Sequence, residues 1–178
     1  MADIPPYSRK GSVYNVGGMA IRALQGTQEI ETCARMMAES EPWKTLGRDY
    51  NASVTTLSDP FKEVYVAVQG DDIVGFVILN MRGAFVGYIQ TLCVAPELRG
   101  QGTGSILLRF AEERIFSDSP NVFMCVSSFN KGAQRLYERL GYQVVGELTD
   151  YIVEGHSEIL LRKTTGPTRN FLAQKKED

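Results

Sequence analysis

Only three cysteines and a single histidine occur in the 178 residues. Cys33, Cys93 and Cys125 are odd in number, far apart and set in apolar surroundings, with no CxxC pair. That argues against a disulfide framework or a zinc site and leaves buried free thiols; no metal is expected. No apolar run approaches the ~20 residues that cross a bilayer, and the opening MADIPPYSRKGSVYNVGG lacks the apolar core of a secretory signal. An excess of one charge is missing too. The chain has 19 Lys and Arg against 21 Asp and Glu, a net charge of −2, so it carries no electrostatic footprint for nucleic acid. A cytoplasmic enzyme with no membrane or nucleic-acid partner is the expectation. One further absence is local: no acidic residue lies between Arg99 and Arg109.

What is present reads as one domain over 18–163, with an N-terminal arm over 1–17 and a polar C-terminal tail over 164–178. Strands are predicted at 19–25, at 63–69 and 71–83 around a turn at 70–72, and at 84–94, 121–127, 142–153 and 156–163. Helices are predicted at 27–40, 103–117 and 130–141, with a broken one within 41–59. Ala133, Leu136, Tyr137 and Leu140 fall at i, i+3, i+4, i+7 and give the short helix one apolar face. Alternating strands and helices of this kind predict an α/β (α+β) sandwich, with helices on both faces of a mixed sheet.

Between a predicted strand and a predicted helix stands LRGQGTG, with Gly100, Gly102 and Gly104 bare of side chains and Arg99 ahead of them. The first N–H groups of a helix lack internal partners, and its dipole favours an anion there. Glycine lets those donors approach a phosphate. The missing acid leaves that positive end open. The Rossmann fingerprint fails at Ser105, and the Walker sequence fails at Gly104-Ser105-Ile106. A tight turn with no ligand is the alternative.

Arg99-Gly100-Gln101-Gly102-Thr103-Gly104 fits R/Q-x-x-G-x-G/A and resembles the acetyl-CoA pyrophosphate loop of the GNAT N-acetyltransferase superfamily. Upstream, LCVAPELRG looks like the family's lead-in. Downstream, SSFNKGAQRLYERLGYQVVGE resembles its second motif, with Asn130 opening a helix and a tyrosine seven residues on. The likeness covers 18–163, is specific over 87–145, and extends to ribosomal-protein N-terminal acetyltransferases.

The resemblance implies a mostly antiparallel sheet of about seven strands with a central parallel pair splayed apart. It implies that the backbone of Leu92, Cys93 and Val94, at a β-bulge, pairs with pantetheine and offers an oxyanion donor. Arg99 to Gly104, with Ser105 as a candidate cap, would take the pyrophosphate; Arg99 also suits a surface ion pair. Asn130 is a helix cap and, in the family, a pantetheine contact. Tyr137 matches the tyrosine that protonates the departing thiolate, and is also suited to core filling. The implied reaction moves an acetyl group from acetyl-CoA to a primary amine, either a peptide N-terminus or a small molecule such as a polyamine or antibiotic. A homodimer and a non-catalytic acyl-CoA-binding module are compatible with the same residues.

The family's strand glutamate has no counterpart in YIQTLCV, and the position five before Asn130 is Cys125. Glu154, His156 or a water chain are the substitutes expected for the base. A site without a strong base suits an α-amine, which is partly neutral near pH 7.5, better than a lysine. Trp43 is expected to line the acceptor pocket or anchor the helices, and Glu39, Glu41 and Asp49 to attract a cationic amine.

Overall fold

The structure, a computed structural model, describes residues 13–174; most of the expected arm and the end of the tail lie outside the described residues. In chain order the elements are β1 (Tyr14–Val16), β2 (Met19–Ala23), α1 (Gly26–Ala38), α2 (Tyr50–Leu57), β3 (Lys62–Gln69), β4 (Asp72–Asn80), β5 (Tyr88–Val94), α3 (Thr103–Phe116), β6 (Asn121–Ser127), α4 (Lys131–Arg139), β7 (Gln143–Leu148), β8 (Glu158–Thr164) and α5 (Thr168–Gln174). The strands form one sheet in the order β1-β2-β3-β4-β5-β6-β8-β7. Every neighbouring pair is antiparallel except β5–β6. The fold is the expected mixed, mostly antiparallel one, with one strand more.

The extra strand is β1, which the sequence pattern assigns to the arm. Gly17 and Gly18, at φ of 58° and 80°, turn it back onto β2. Two other boundaries move for backbone reasons. β5 starts at Tyr88 and not at 84, because Gly87 at φ 86° breaks the extended path. A Cβ on Gly87 would lie 2.5 Å from Asn121 O and closer still to Ile115 Cγ2. β7 ends at Leu148 and not at 153; Asp150 has φ 50°, and its side chain accepts from Gly155 N–H at 2.7 Å. Of the segment 41–59, only 50–57 is helical, started by Asp49 accepting from Ala52 N–H at 2.8 Å. The tail is partly built in: α5 follows β8, and Asn121 donates to Thr168 Oγ1 at 3.1 Å.

Apolar layers cover both faces of the sheet. On one, Leu107, Phe110 and Ile115 of α3 pack on Val77, Leu79 and Met124. On the other, Cys33 and Met37 of α1 and Leu57 of α2 pack on Val66, Phe76 and Ile78. β4 is therefore buried from Val74 to Leu79 without alternation. Gly75 lets α3 close on it; a Cβ there would stand 2.9 Å from both Cys93 O and Leu107 Cδ1. Among the described residues no helix is long and apolar enough to cross a membrane.

Candidate active site

β5 and β6 pair only at Tyr88–Phe123 and Ile89–Met124, then separate. The cause lies on the other side of β5. Ile78 opposes Thr91 and Leu79 opposes Ile89, so Gln90 is an extra, bulged residue. A bulge bends its strand and re-aims the residues beyond it. Ile89 packs on the α3 side. Past Gln90 it is Leu92 and Val94 that face α3, while Cys93 faces the other core. Ala95 N–H donates to Val74 O at 2.9 Å. Alternation back from that bond assigns Thr91 and Cys93 to the β4 ladder and turns the N–H and C=O of Leu92 and Val94 into the gap toward β6. The splay stands at Leu92–Val94 as expected; the bulge is just upstream, at Gln90.

From Val94 the chain makes one 3-10 turn over Pro96–Leu98 and enters the glycine loop. Gly100 and Gly102 have φ of 76° and 96°, which only glycine adopts readily, and Gly102 is the N-cap of α3. Gln101 Nε2 donates to Glu97 O at 2.7 Å. The first intrahelical bond runs from Ile106 N–H to Gly102 O, leaving the N–H groups of Thr103, Gly104 and Ser105 without helical partners. The first turn carries no acid and no side-chain cap, so Ser105 does not cap this end. Arg99 braces the loop: Nε donates to Val94 O and Nη2 to Ser40 Oγ, both at 3.1 Å.

The facing wall is β6 and α4. Asn130 is the N-cap, its Oδ1 accepting from Ala133 N–H at 3.1 Å. Gln134 Nε2 donates to Ser127 O at 2.9 Å and Ser128 O at 3.0 Å, holding the turn between strand and helix. Tyr137 is buried with its ring edge-on to Tyr142. Burial pushes its phenol up to about 12, and among the described residues its hydroxyl has no hydrogen-bond partner.

Between the walls lies a cleft of about 880 Å³, lined by Leu92, Ser127, Asn130, Tyr137, Trp43 and Tyr151 among others. Trp43 lines the cleft and is also buried in the α1–α2 core, as an anchor of the helices would be. Cys125 corrects an expectation. It is half-buried, lines the cleft beside Tyr88, and burial pushes its thiol up. Neither proposed substitute base reaches the cleft: Glu154 is exposed, and His156 packs on Phe129 with centroids 4.9 Å apart. Glu39, Glu41 and Asp49 do not line it either. Glu41 accepts from Thr45 N–H at 3.2 Å, and Asp49 is spent on the α2 cap.

The carboxylate that does line the cleft is Glu158, which sequence reasoning missed. It opens β8, directly opposite Ser127, whose hydroxyl donates to Oε1 at 2.6 Å. It is 4% exposed, and burial holds its carboxyl above the ordinary range. The available signal was an acid heading the otherwise apolar run EILL. Among the described residues no cluster of His, Cys, Asp or Glu suits a metal ion.

Comparison with known proteins places this geometry. The profile of the acetyltransferase (GNAT) family matches residues 24–142. GCN5-related N-acetyltransferase 6, chloroplastic, of Arabidopsis thaliana is 31% identical over 124 residues, 65% of this chain and 42% of that protein. Aminoalkylphosphonate N-acetyltransferase of Salmonella typhimurium is 32% identical over 93 residues, 49% of this chain and 60% of that protein. The chain thus spans about half the length of these curated relatives. A GNAT family acetyltransferase from Elizabethkingia anophelis, solved with acetyl-CoA bound, superposes with a TM-score of 0.66 at 17% identity, covering 83% of this chain and 99% of the other. With the family profile spanning both the bulged strand and the glycine loop, the chain belongs to the acetyltransferase (GNAT) family.

Proposed function

We propose that the protein is an acetyl-CoA-dependent N-acetyltransferase that moves an acetyl group directly onto a primary amine. One observation carries this: the backbone of Leu92, turned away from the β4 ladder where β5 and β6 separate, opens onto a cleft that also holds a buried carboxylate and a buried phenol. Extended pantetheine would take the place of the missing strand neighbour. The Gly100–Ser105 turn, with its free N–H groups and no acid, suits the pyrophosphate. Glu158 takes the proton from the acceptor ammonium, directly or through one water; a carboxyl raised by burial is a better base near neutrality than an ordinary one. The neutral amine attacks the thioester carbon, and a cleft-facing N–H of β5 stabilises the oxyanion. As the C–S bond breaks, Tyr137 gives its proton to the thiolate, and the proton that the new amide nitrogen sheds returns through water to the phenolate. With a carboxylate in the cleft, a missing base no longer favours an α-amine. The name of the Salmonella relative supports a small amine.

The test is product formation. The protein is incubated with acetyl-CoA and a panel of peptides and small amines, and acetylated product and free thiol are read together by mass spectrometry. An acetylated amine with matching thiol release is expected. Tight acetyl-CoA binding without transfer to any member would favour the non-catalytic module.

A further inference from the structure

The charges lining the cleft do not match those of the whole chain. The protein carries −2 overall, yet the cleft presents two arginines, Arg48 and Arg82, and one acid, Glu158. Neither arginine is neutralised. The ion pairs among the described residues use Arg22, Lys62, Arg114 and Lys163. Arg48 is half-buried in the loop between α1 and α2, and no side-chain hydrogen bond is formed by it among the described residues. Arg82, in the loop before β5, lies over the Phe61 ring at 4.7 Å. That contact orients a guanidinium without cancelling its charge.

Both arginines line the cleft, whose lining includes no residue of the glycine loop. Arg82 precedes β5 and the glycine loop follows it, so the strand's seven residues, about 20 Å of extended chain, separate the two. Arg82 shares its loop with Phe85, which also lines the cleft. A polycationic acceptor would meet like charge at both arginines, and a neutral-bodied amine would leave both unused. A low-dielectric cleft concentrates ligands of opposite sign. We infer that the acceptor is a small primary amine that also carries an anionic group, its ammonium directed to Glu158 and its anion to Arg48 and Arg82. This rests on the acetyltransferase reading and narrows it to zwitterionic substrates.

The experiment compares kcat/KM at saturating acetyl-CoA for β-alanine, aminoethylphosphonate, β-alanine amide and ethylenediamine. The amide does not raise the amine's basicity, so a preference for the acid cannot come from a larger neutral fraction. At least one anionic acceptor should exceed both the amide and the diamine tenfold or more, and its KM should rise with ionic strength. The faster of the two names the anion. Arg48→Gln and Arg82→Gln should each shrink that ratio, and Arg82→Glu should turn it toward ethylenediamine; thermal melts check that each variant folds. The inference is overturned if the amide or the diamine matches the anionic amines. It is equally overturned if the ratio survives in all three folded variants. Acetyl transfer without the preference sinks this inference alone. No transfer to any acceptor sinks the acetyltransferase reading with it.

Discussion

Ser127 and Glu158 face each other across the β6–β8 ladder, and the serine hydroxyl donates to the carboxylate at 2.6 Å. The pair has two opposed consequences. Burial raises the Glu158 carboxyl, so the native state keeps a proton that the unfolded chain has already released. Its contribution to stability is whole below the ordinary carboxylate value of about 4.3 and is lost as pH rises through the raised one. Glu158→Gln should therefore melt higher than wild type near neutrality, with the gap closing toward pH ~4. The same change should lower kcat/KM by about 10²–10⁴-fold and erase the acidic limb of the pH profile. Calorimetric melts against pH and steady-state rates check both; an active variant with an unaltered limb removes Glu158 from proton transfer.

Tyr137→Phe should leave stability within ~0.5 kcal/mol of wild type. The hydroxyl has no partner among the described residues, so its removal orphans no group. Turnover should fall by about 10²–10⁴-fold if that proton reaches the thiolate. Because burial pushes the phenol up to about 12, wild type should show no loss of this acid below pH 10. Single-turnover thiol release across pH is the measurement.

The loop glycines should respond differently to alanine. Gly104 has ordinary φ, and its Cβ would meet Val94 Cγ2 at 3.6 Å, a normal contact. Gly104→Ala should stabilise the protein by ~0.5–1 kcal/mol through helix propensity. Gly102, at φ 96°, should lose roughly 1–2 kcal/mol on the same change. Gly87→Ala combines positive φ with overlap on Asn121 O and Ile115, and should lose more than Gly102→Ala. Urea midpoints at constant m-value rank the three.

Lys163 Nζ holds Glu112 Oε2 at 2.7 Å, and the Tyr142 hydroxyl is buried against the same carboxylate. Lys163→Met strands that carboxylate. The loss should be about 2–4 kcal/mol, less than for a fully buried pair because Lys163 keeps some exposure. Adding Glu112→Leu should restore most of it. A double variant no more stable than Lys163→Met alone would show that the charge is not what is missed.

Short-range features were legible in the sequence. The apolar periods at 103–117 and 130–141 name α3 and α4, Asn130 caps as its side chain allows, and the open glycine turn follows from three glycines and an absent acid. Long-range pairing was not. Glu158 meets Ser127 across 31 positions, only because β8 inserts between β6 and β7, and no local pattern encodes that order. The Gln90 bulge is likewise a register property of two strands. The resemblance assigned no residue firmly as the base, because the family's usual strand position holds no acid here. The boundaries at Gly87 and Asp150 are set by single positive φ values inside runs that otherwise read as extended.

Two rungs of parallel pairing, at Tyr88–Phe123 and Ile89–Met124, stitch the sheet's two halves together. Seen mechanically, the domain is a book bound by a short spine, with β1–β5 as one leaf and β6–β8 as the other. A molecule seated between the leaves adds rungs to both at once. Amide exchange at Leu92 and Val94 should then be fast for a central strand when the gap is empty and slow when it is filled. The protection should spread along β6 as well, so that occupancy of one crevice tightens a sheet whose outermost strands it never touches.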